Sequence, residues 1–266
     1  TPPKPQIYAP PAPAGEMLGG RNRLYLMIGG IAVVFGVLYW FFMLRTPVPE
    51  IVEESPTPTP TATQTPDLSS ILAGLESQTV CTGGCTVDDF ISDISNGTIN
   101  GGQFKKLYLN ENDTSGNMAE VLDSLGVAYP IQLKGLLGSD SFALMYGQKE
   151  IFDSKGFIVT NAPVEKRLVF ISEVKNSSLV SQEATAWEPT MATTLQGLLT
   201  FVANKQANPT FLGNYYQGTP IRYNNFPYSD RSIDYAVVSA SNGKTYLVIS
   251  NSRESMYSAI DKLRGL

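Results

Sequence analysis

The chain has 266 residues, a formal net charge of −5 and no histidine. The acidic balance leaves no basic field to hold nucleic acid, so that class of partner is set aside. The lack of histidine removes the usual general base near neutral pH, the commonest zinc ligand and the usual pH sensor.

Residues 1–20 open on TPPKPQIYAPPAPAG, too proline-rich for a helix and too short for a domain, which predicts an extended solvated tail. Leu24–Leu44 then runs without a charge between Arg23 and Arg45, long enough as a helix to span a hydrocarbon core of about 30 Å. Tyr25 near one end and Tyr39–Trp40 near the other suit the two headgroup zones. Phe42-Met43-Leu44-Arg45 offers no small-x-small cleavage site, so the segment reads as an uncleaved signal-anchor over 21–45. Lys4, Arg21 and Arg23 on one side against Arg45 on the other predict a single-pass membrane protein with its N-terminus in the cytoplasm and its bulk outside. Gly29, Ala32 and Gly36 share a helical face that would let two such helices approach and form a homo-oligomer.

TPVPEIVEESPTPTPTATQTP, residues 46–66, predicts a polyproline II tether able to hold a domain up to about 60 Å from the bilayer. Beyond it, Leu68, Ile71, Leu72 and Leu75 recur at helical spacing behind Asp67, a cap residue. Phe90, Ile91 and Ile94 do the same behind the capping pair Thr86 and Asp89. Cys81 and Cys85, the only cysteines, lie between these helices. Outside the cytoplasm paired thiols tend to close, and the glycines between them let the ring form, so they predict a disulfide staple over a hairpin at 67–97. A redox pair gains support from Cys85 standing just before a helix start, but the C-x₃-C spacing and the absence of nearby basic residues count against it. Two thiolates without histidine fall short of a structural zinc site, and no metal or cofactor is expected.

Residues 98–266 read as one domain. Strands are expected in QFKKLYLN, SFALMYG, KGFIVTN and RLVFISEV, the last nearly continuous and so central. NMAEVLDSLG predicts a helix ended by Gly126, and WEPTMATTLQGLLTFVANK another, with Pro189 in its first turn and Leu195, Leu198, Leu199 and Val202 as its buried stripe. GTPIRYNN, SIDYAVVSA and KTYLVISN predict strands, the last two joined by an Asn242-Gly243 hairpin with positive φ at both turn positions. The final helix has Asn251 and Glu254 as reciprocal caps and Met256, Ile260 and Leu263 facing inward. The fold class is therefore α+β, a mostly antiparallel sheet with helices on one face, preceded by one transmembrane helix and a Pro/Thr-rich tether.

The motifs that resemble chemistry fail on context. Ser241-Asn242-Gly243-Lys244-Thr245 resembles the end of a phosphate loop, but Val238 stands where glycine is needed and a strand follows. GSDS at 138–141 breaks the nucleophile-elbow spacing, Asp88–Asp89 suits a helix start, and NENDTSGN at 110–117 lacks the closing glutamate of a calcium loop. Asn96, Asn112 and Asn176 lie in glycosylation sequons. No residue is assigned a catalytic role. The recognition candidate is FLGNYYQGTPIRYNNFPYSDR, residues 211–231, where Tyr215, Tyr216, Tyr223, Phe226 and Tyr228 mix with amides and Arg222. Trp187 could join that surface.

The tail ISNSRESMYSAIDKL, with AWEP and GTPIRYNN, resembles a loose group of uncharacterised single-pass envelope proteins of small-genome bacteria, over about the last half of the chain. That resemblance implies an envelope location and transfers no active site. The expected function is a binding or assembly module of an envelope machine (a pilus, secretion or attachment system) with other envelope proteins as partners. The alternative is a carboxylate-dependent enzyme on cell-wall polymer or peptide, which would need an acidic cleft.

Overall fold

A computed structural model describes residues 66–81, 86–109, 118–153, 155, 157–200, 209–226 and 231–266 of the protein. The expected tail, the anchor at 24–44 with Gly29, Ala32 and Gly36, nearly all of the tether, Cys85, Asn112, Val202 and Tyr228 lie outside these residues. Among the described residues no helix is long and apolar enough to cross a membrane. All of them fall in one compact unit, Thr63–Leu266.

The chain order is α1 (Leu68–Ile71), β1 (Ser77–Thr79), α2 (Val87–Asn96), β2 (Phe104–Tyr108), α3 (Met118–Ser124), α4 (Ile131–Leu136), β3 (Leu137–Gln148), β4 (Glu165–Val174), α5 (Ser177–Thr200), β5 (Leu212–Tyr216), β6 (Thr219–Asn225), β7 (Ser232–Ser239), β8 (Thr245–Ser250) and α6 (Arg253–Arg264). The strands form one sheet in the order β1-β2-β3-β4-β8-β7-β6-β5. β1 and β2 are parallel and every other neighbouring pair is antiparallel. α5 carries the chain from β4 to the far edge, and the β5–β8 meander returns it to β4's side. Residues 67–97 are built into this sheet, because β1 adds to it at the opposite edge.

Side chains alternate across a strand, so each central strand feeds two layers. Ala143 and Met145 of β3, Leu168 and Phe170 of β4 and Leu247 and Ile249 of β8 pack with α2, α3, α4 and α5. Phe142, Leu144, Val169, Ile171, Tyr246 and Val248 pack with α1 and α6 on the other face. The fold class is α+β with a mostly antiparallel sheet, but the expectation of helices on one face is corrected: both faces are covered. The apolar runs of β3, β4 and β8 have that cause, since a strand with one wet face would alternate.

Three elements differ from expectation. The helix expected from Trp187 begins at Ser177, so Pro189 lies inside it. Asn176 caps its start by accepting the Leu179 N–H at 3.0 Å, and Val180 and Ala184 extend the buried stripe backward. Among the described residues KGFIVTN contributes only Ile158, to a bridge with Phe152, and Phe157 and Ile158 are exposed; the Asp153 carboxylate accepts the N–H groups of Lys155 and Phe157 and bends the segment into a loop. The last helix is capped one residue later than expected, by Ser252 accepting the Ser255 N–H, because Asn251 is committed to the core. Its amide accepts the Leu168 N–H at 2.9 Å and donates to the Leu199 carbonyl, stitching β4, α5 and the start of α6 together.

Other local signals read true. Asp67 accepts the Ser70 N–H, and Thr86 with Asp89 forms a capping box. The β7–β8 hairpin is present at Asn242-Gly243, but only Gly243 has positive φ, 79°. Gly243 N–H donates to Ala240 O and Ala240 N–H to Lys244 O, a three-residue loop with glycine at the left-handed position. Lys244 there pairs with Asp140 at 3.2 Å and Glu173 at 3.4 Å, which accounts for it without phosphate.

Candidate functional site

The stretch 211–231 holds an edge hairpin. β5 and β6 pair from Leu212↔Tyr223 to Tyr216↔Thr219, and Gln217 and Gly218 close the turn with φ of 49° and 74°. A two-residue loop positive at both positions matches the right-handed twist of the flanking strands. Among the described residues β5 has β6 on one side and no strand on the other. A two-residue loop is closed by a hydrogen-bonded pair, here the partners Tyr216 and Thr219, and alternation from that pair turns the main-chain groups of Gly213 and Tyr215 away from β6. β5, LGNYY, has none of the charges or prolines that usually protect an edge, and Leu212 is 49% and Tyr215 73% exposed.

The expected recognition residues divide between the two faces of this hairpin. Tyr216 faces α6, where its ring stacks on Tyr257 with centroids 3.9 Å apart and its hydroxyl donates to Asp261 at 2.9 Å. Asn214 donates to the Tyr257 hydroxyl at 2.9 Å, and Tyr223 lies on the same side. Tyr215 and Arg222 lie on the α5 side. There Arg222 donates twice to Glu188, each bond 2.7 Å, and Tyr235 adds a third donor at 2.7 Å. Burial works to raise the Glu188 carboxyl, but these donors outweigh it and hold it below its ordinary value. Burial and the same carboxylate push the Tyr235 phenol up to about 12.

Two expected residues are corrected. Trp187 is a buried residue of α5 with its ring 6.4 Å from that of Tyr129, and Phe226 is buried at the end of β6. Each faces the apolar layer beneath α5, where burying a large ring stabilises by about 1.5–3 kcal/mol, so neither offers a surface. Cys81 is described, its N–H held by Asp93 at 2.8 Å, and its expected bridge runs to a residue outside the described ones. Among the described residues no cluster of three acidic or cysteine side chains could hold a metal.

A feature not expected from the sequence lies beside the hairpin. A pocket of ≈ 400 Å³ opens between β6, β7, the first turns of α6 and the segment 148–152. Ile221, Tyr223, Tyr257 and Phe152 wall it, and Asp234 and Gln148 line it at 3% and 2% exposure. Asp234 Oδ1 and Gln148 Oε1 are buried without a hydrogen-bond donor. Burial pushes the Asp234 carboxyl up to about 7 against the opposing pull of Ser232 and Arg253. Glu254, also at the pocket, is already saturated: its carboxylate accepts from the Tyr146 hydroxyl and from the N–H groups of Lys149 and Glu150. The available signal is Asp234 itself, a carboxylate amid the apolar residues of SIDYAVVSA.

Comparison with protein-family models, with curated proteins and with solved structures finds no match to this chain.

Proposed function

We propose that this chain is a membrane-anchored module of the bacterial cell envelope whose extracytoplasmic domain binds an extended segment of another envelope protein by adding it to the β5 edge. Leu24–Leu44 is the anchor, the Pro/Thr-rich stretch sets the domain off from the bilayer, and Cys81–Cys85 is a staple closed in an oxidising compartment. One observation carries the reading: an uncharged edge strand, open on one side among the described residues, with Leu212 and Tyr215 standing on its opposite faces. Strand addition takes its affinity from main-chain hydrogen bonds and its specificity from alternate side chains, which such an edge can supply.

The test uses full-length protein in host membranes with a photocrosslinking residue in place of Tyr215. One discrete adduct is expected, absent when the same residue replaces the exposed Ser178, and lost in Gly213→Pro, which removes an outward N–H while leaving the β6 pairing intact. No adduct, or the same adduct from position 178, overturns the reading.

The alternative enzyme reading draws on Asp234, a buried carboxyl near 7 that can hold a proton for transfer. Paired-carboxylate chemistry needs a second free carboxyl, but Glu254 is committed to three structural donors and Glu150 is paired with Arg253 at 2.9 Å. The pocket therefore favours binding over turnover.

A further inference from the structure

We propose that the pocket beside α6 is a binding site for a small organic cation bearing a primary ammonium group, its N–H donors taken by Asp234 Oδ1 and Gln148 Oε1 and its body held against Ile221, Tyr223 and Tyr257. This goes beyond strand addition at β5 and does not depend on it.

Hydrogen-bond capacity restricts what can fill the pocket. Leaving a buried acceptor unpaired costs about 1–3 kcal/mol, and the pocket has two such atoms on side chains at least nine-tenths buried. Gln148 is not free to turn its amide round, because its Nε2 donates to the Glu150 carbonyl at 2.8 Å. A ligand that completes the site must therefore bring donors, and a carboxylate or phosphate brings none. At the start of α6 the Ser255 N–H is already given to the Ser252 hydroxyl.

Charge selects among donors. Glu150, Asp234 and Glu254 line the pocket against Arg231 and Arg253. Both arginines are engaged, Arg253 with Glu150 at 2.9 Å and Arg231 with Glu165 at 3.5 Å, so the carboxyl at the floor is the charge left to answer. An ammonium offers up to three donors and a full opposite charge to a poorly hydrated carboxylate, where charge-assisted bonds are about twice as strong as neutral ones. The tyrosine faces add an attraction for a cation. At ≈ 400 Å³ the pocket is at the small end of ligand sites, which fits a one-ring amine.

The test is calorimetric titration of the full-length protein in detergent at pH 8, with empty micelles as the blank, using three probes that share one phenylethyl body. Saturable binding is expected for 2-phenylethylamine. The trimethylammonium analogue, which keeps the charge and loses every N–H donor, should bind at least about tenfold more weakly, and 2-phenylethanol should not bind measurably. Asp234→Asn should weaken the amine about 10- to 100-fold, and Tyr223→Ala, at the wall, less than that. No saturable binding of the amine, equal affinity for amine and trimethylammonium, or binding of the alcohol as tight as that of the amine would each overturn the proposal.

Discussion

Arg222 on β6 holds Glu188 on α5 through two hydrogen bonds of 2.7 Å, tying the edge hairpin to the helix that crosses the sheet. The fork geometry matters, because a guanidinium meets a carboxylate in two parallel bonds and an ammonium cannot. Arg222→Ala is expected to cost about 1–3 kcal/mol in urea unfolding, below the roughly 3–5 kcal/mol of a fully buried broken pair because the arginine side chain is 39% exposed. Arg222→Lys should recover less than half of it. Glu188 is held below its ordinary 4.5, so its contribution is present above that pH and is lost as pH falls through the folded value. Glu188→Gln should flatten that acid limb.

Asp234 works in the opposite direction. Its carboxyl rises from 3.8 to about 7 on folding, chiefly through burial, so the folded state holds the proton more tightly than the unfolded chain. Stability should fall as pH rises from about 4 through 7, by on the order of 4 kcal/mol if the whole difference is expressed at about 1.4 kcal/mol per pH step. Asp234→Asn keeps the shape and removes the charge. Its unfolding midpoint should be nearly flat over that window and higher than the wild type's at pH 8. A wild-type midpoint that does not change between pH 4 and 8 would contradict the assignment.

Periodicity makes the main elements legible. The strands β2, β3, β4, β6, β7 and β8 and the last helix lie where alternating or helical spacing puts them, and Thr86–Asp89 marks its own helix start. What escapes a local reading is decided elsewhere in the chain. LGNYY has no period of its own and reads as a loop; the strand conformation of β5 comes from pairing with β6. SSLVSQEATA is polar and hides the start of α5, yet Val180 and Ala184 suffice once a sheet lies beneath them. Helices on both faces follow from apolar side chains on both sides of the central strands, which a pattern sought one face at a time does not reveal. Of the candidate surface, aromatic content is legible and exposure is not: Trp187 and Phe226 are inside, Tyr215 is outside, and the pocket under Asp234 depends on contacts that no local window contains.

Gly147 on β3 marks where the chain passes closest to itself. A Cβ there would stand 2.2 Å from the Asn100 carbonyl oxygen, and the Gly102 N–H donates to the Gly147 carbonyl at 2.6 Å. Gly147→Ala must push the 100–103 turn off the strand, an overpacking cost of about 1–3 kcal/mol. Gly197, inside α5 with nothing within 4 Å of its Cβ position, is the control. Gly197→Ala should stabilise by about 0.5–1 kcal/mol in the same urea series. Equal effects at the two positions would mean that the close approach is relieved at no cost.

The turn at Gln217–Gly218 tests whether the β5 edge is held by its own hairpin or by α6. Gln217 has φ of 49°, a region that asparagine and glycine enter more easily than glutamine. Gln217→Asn should therefore stabilise by some tenths of a kcal/mol, whereas Gly218→Val, a β-branched residue forced to φ of 74°, should cost about 1–2 kcal/mol. The stack of Tyr216 on Tyr257 and the Tyr216–Asp261 hydrogen bond are the competing anchor. If the turn governs, Gly218→Val speeds hydrogen exchange at Asn214 and Tyr216, the β5 amides bonded to β6, and Tyr257→Ala does so only weakly. If α6 governs, the order reverses, and docking at β5 would respond to whatever occupies the pocket that Tyr257 shares.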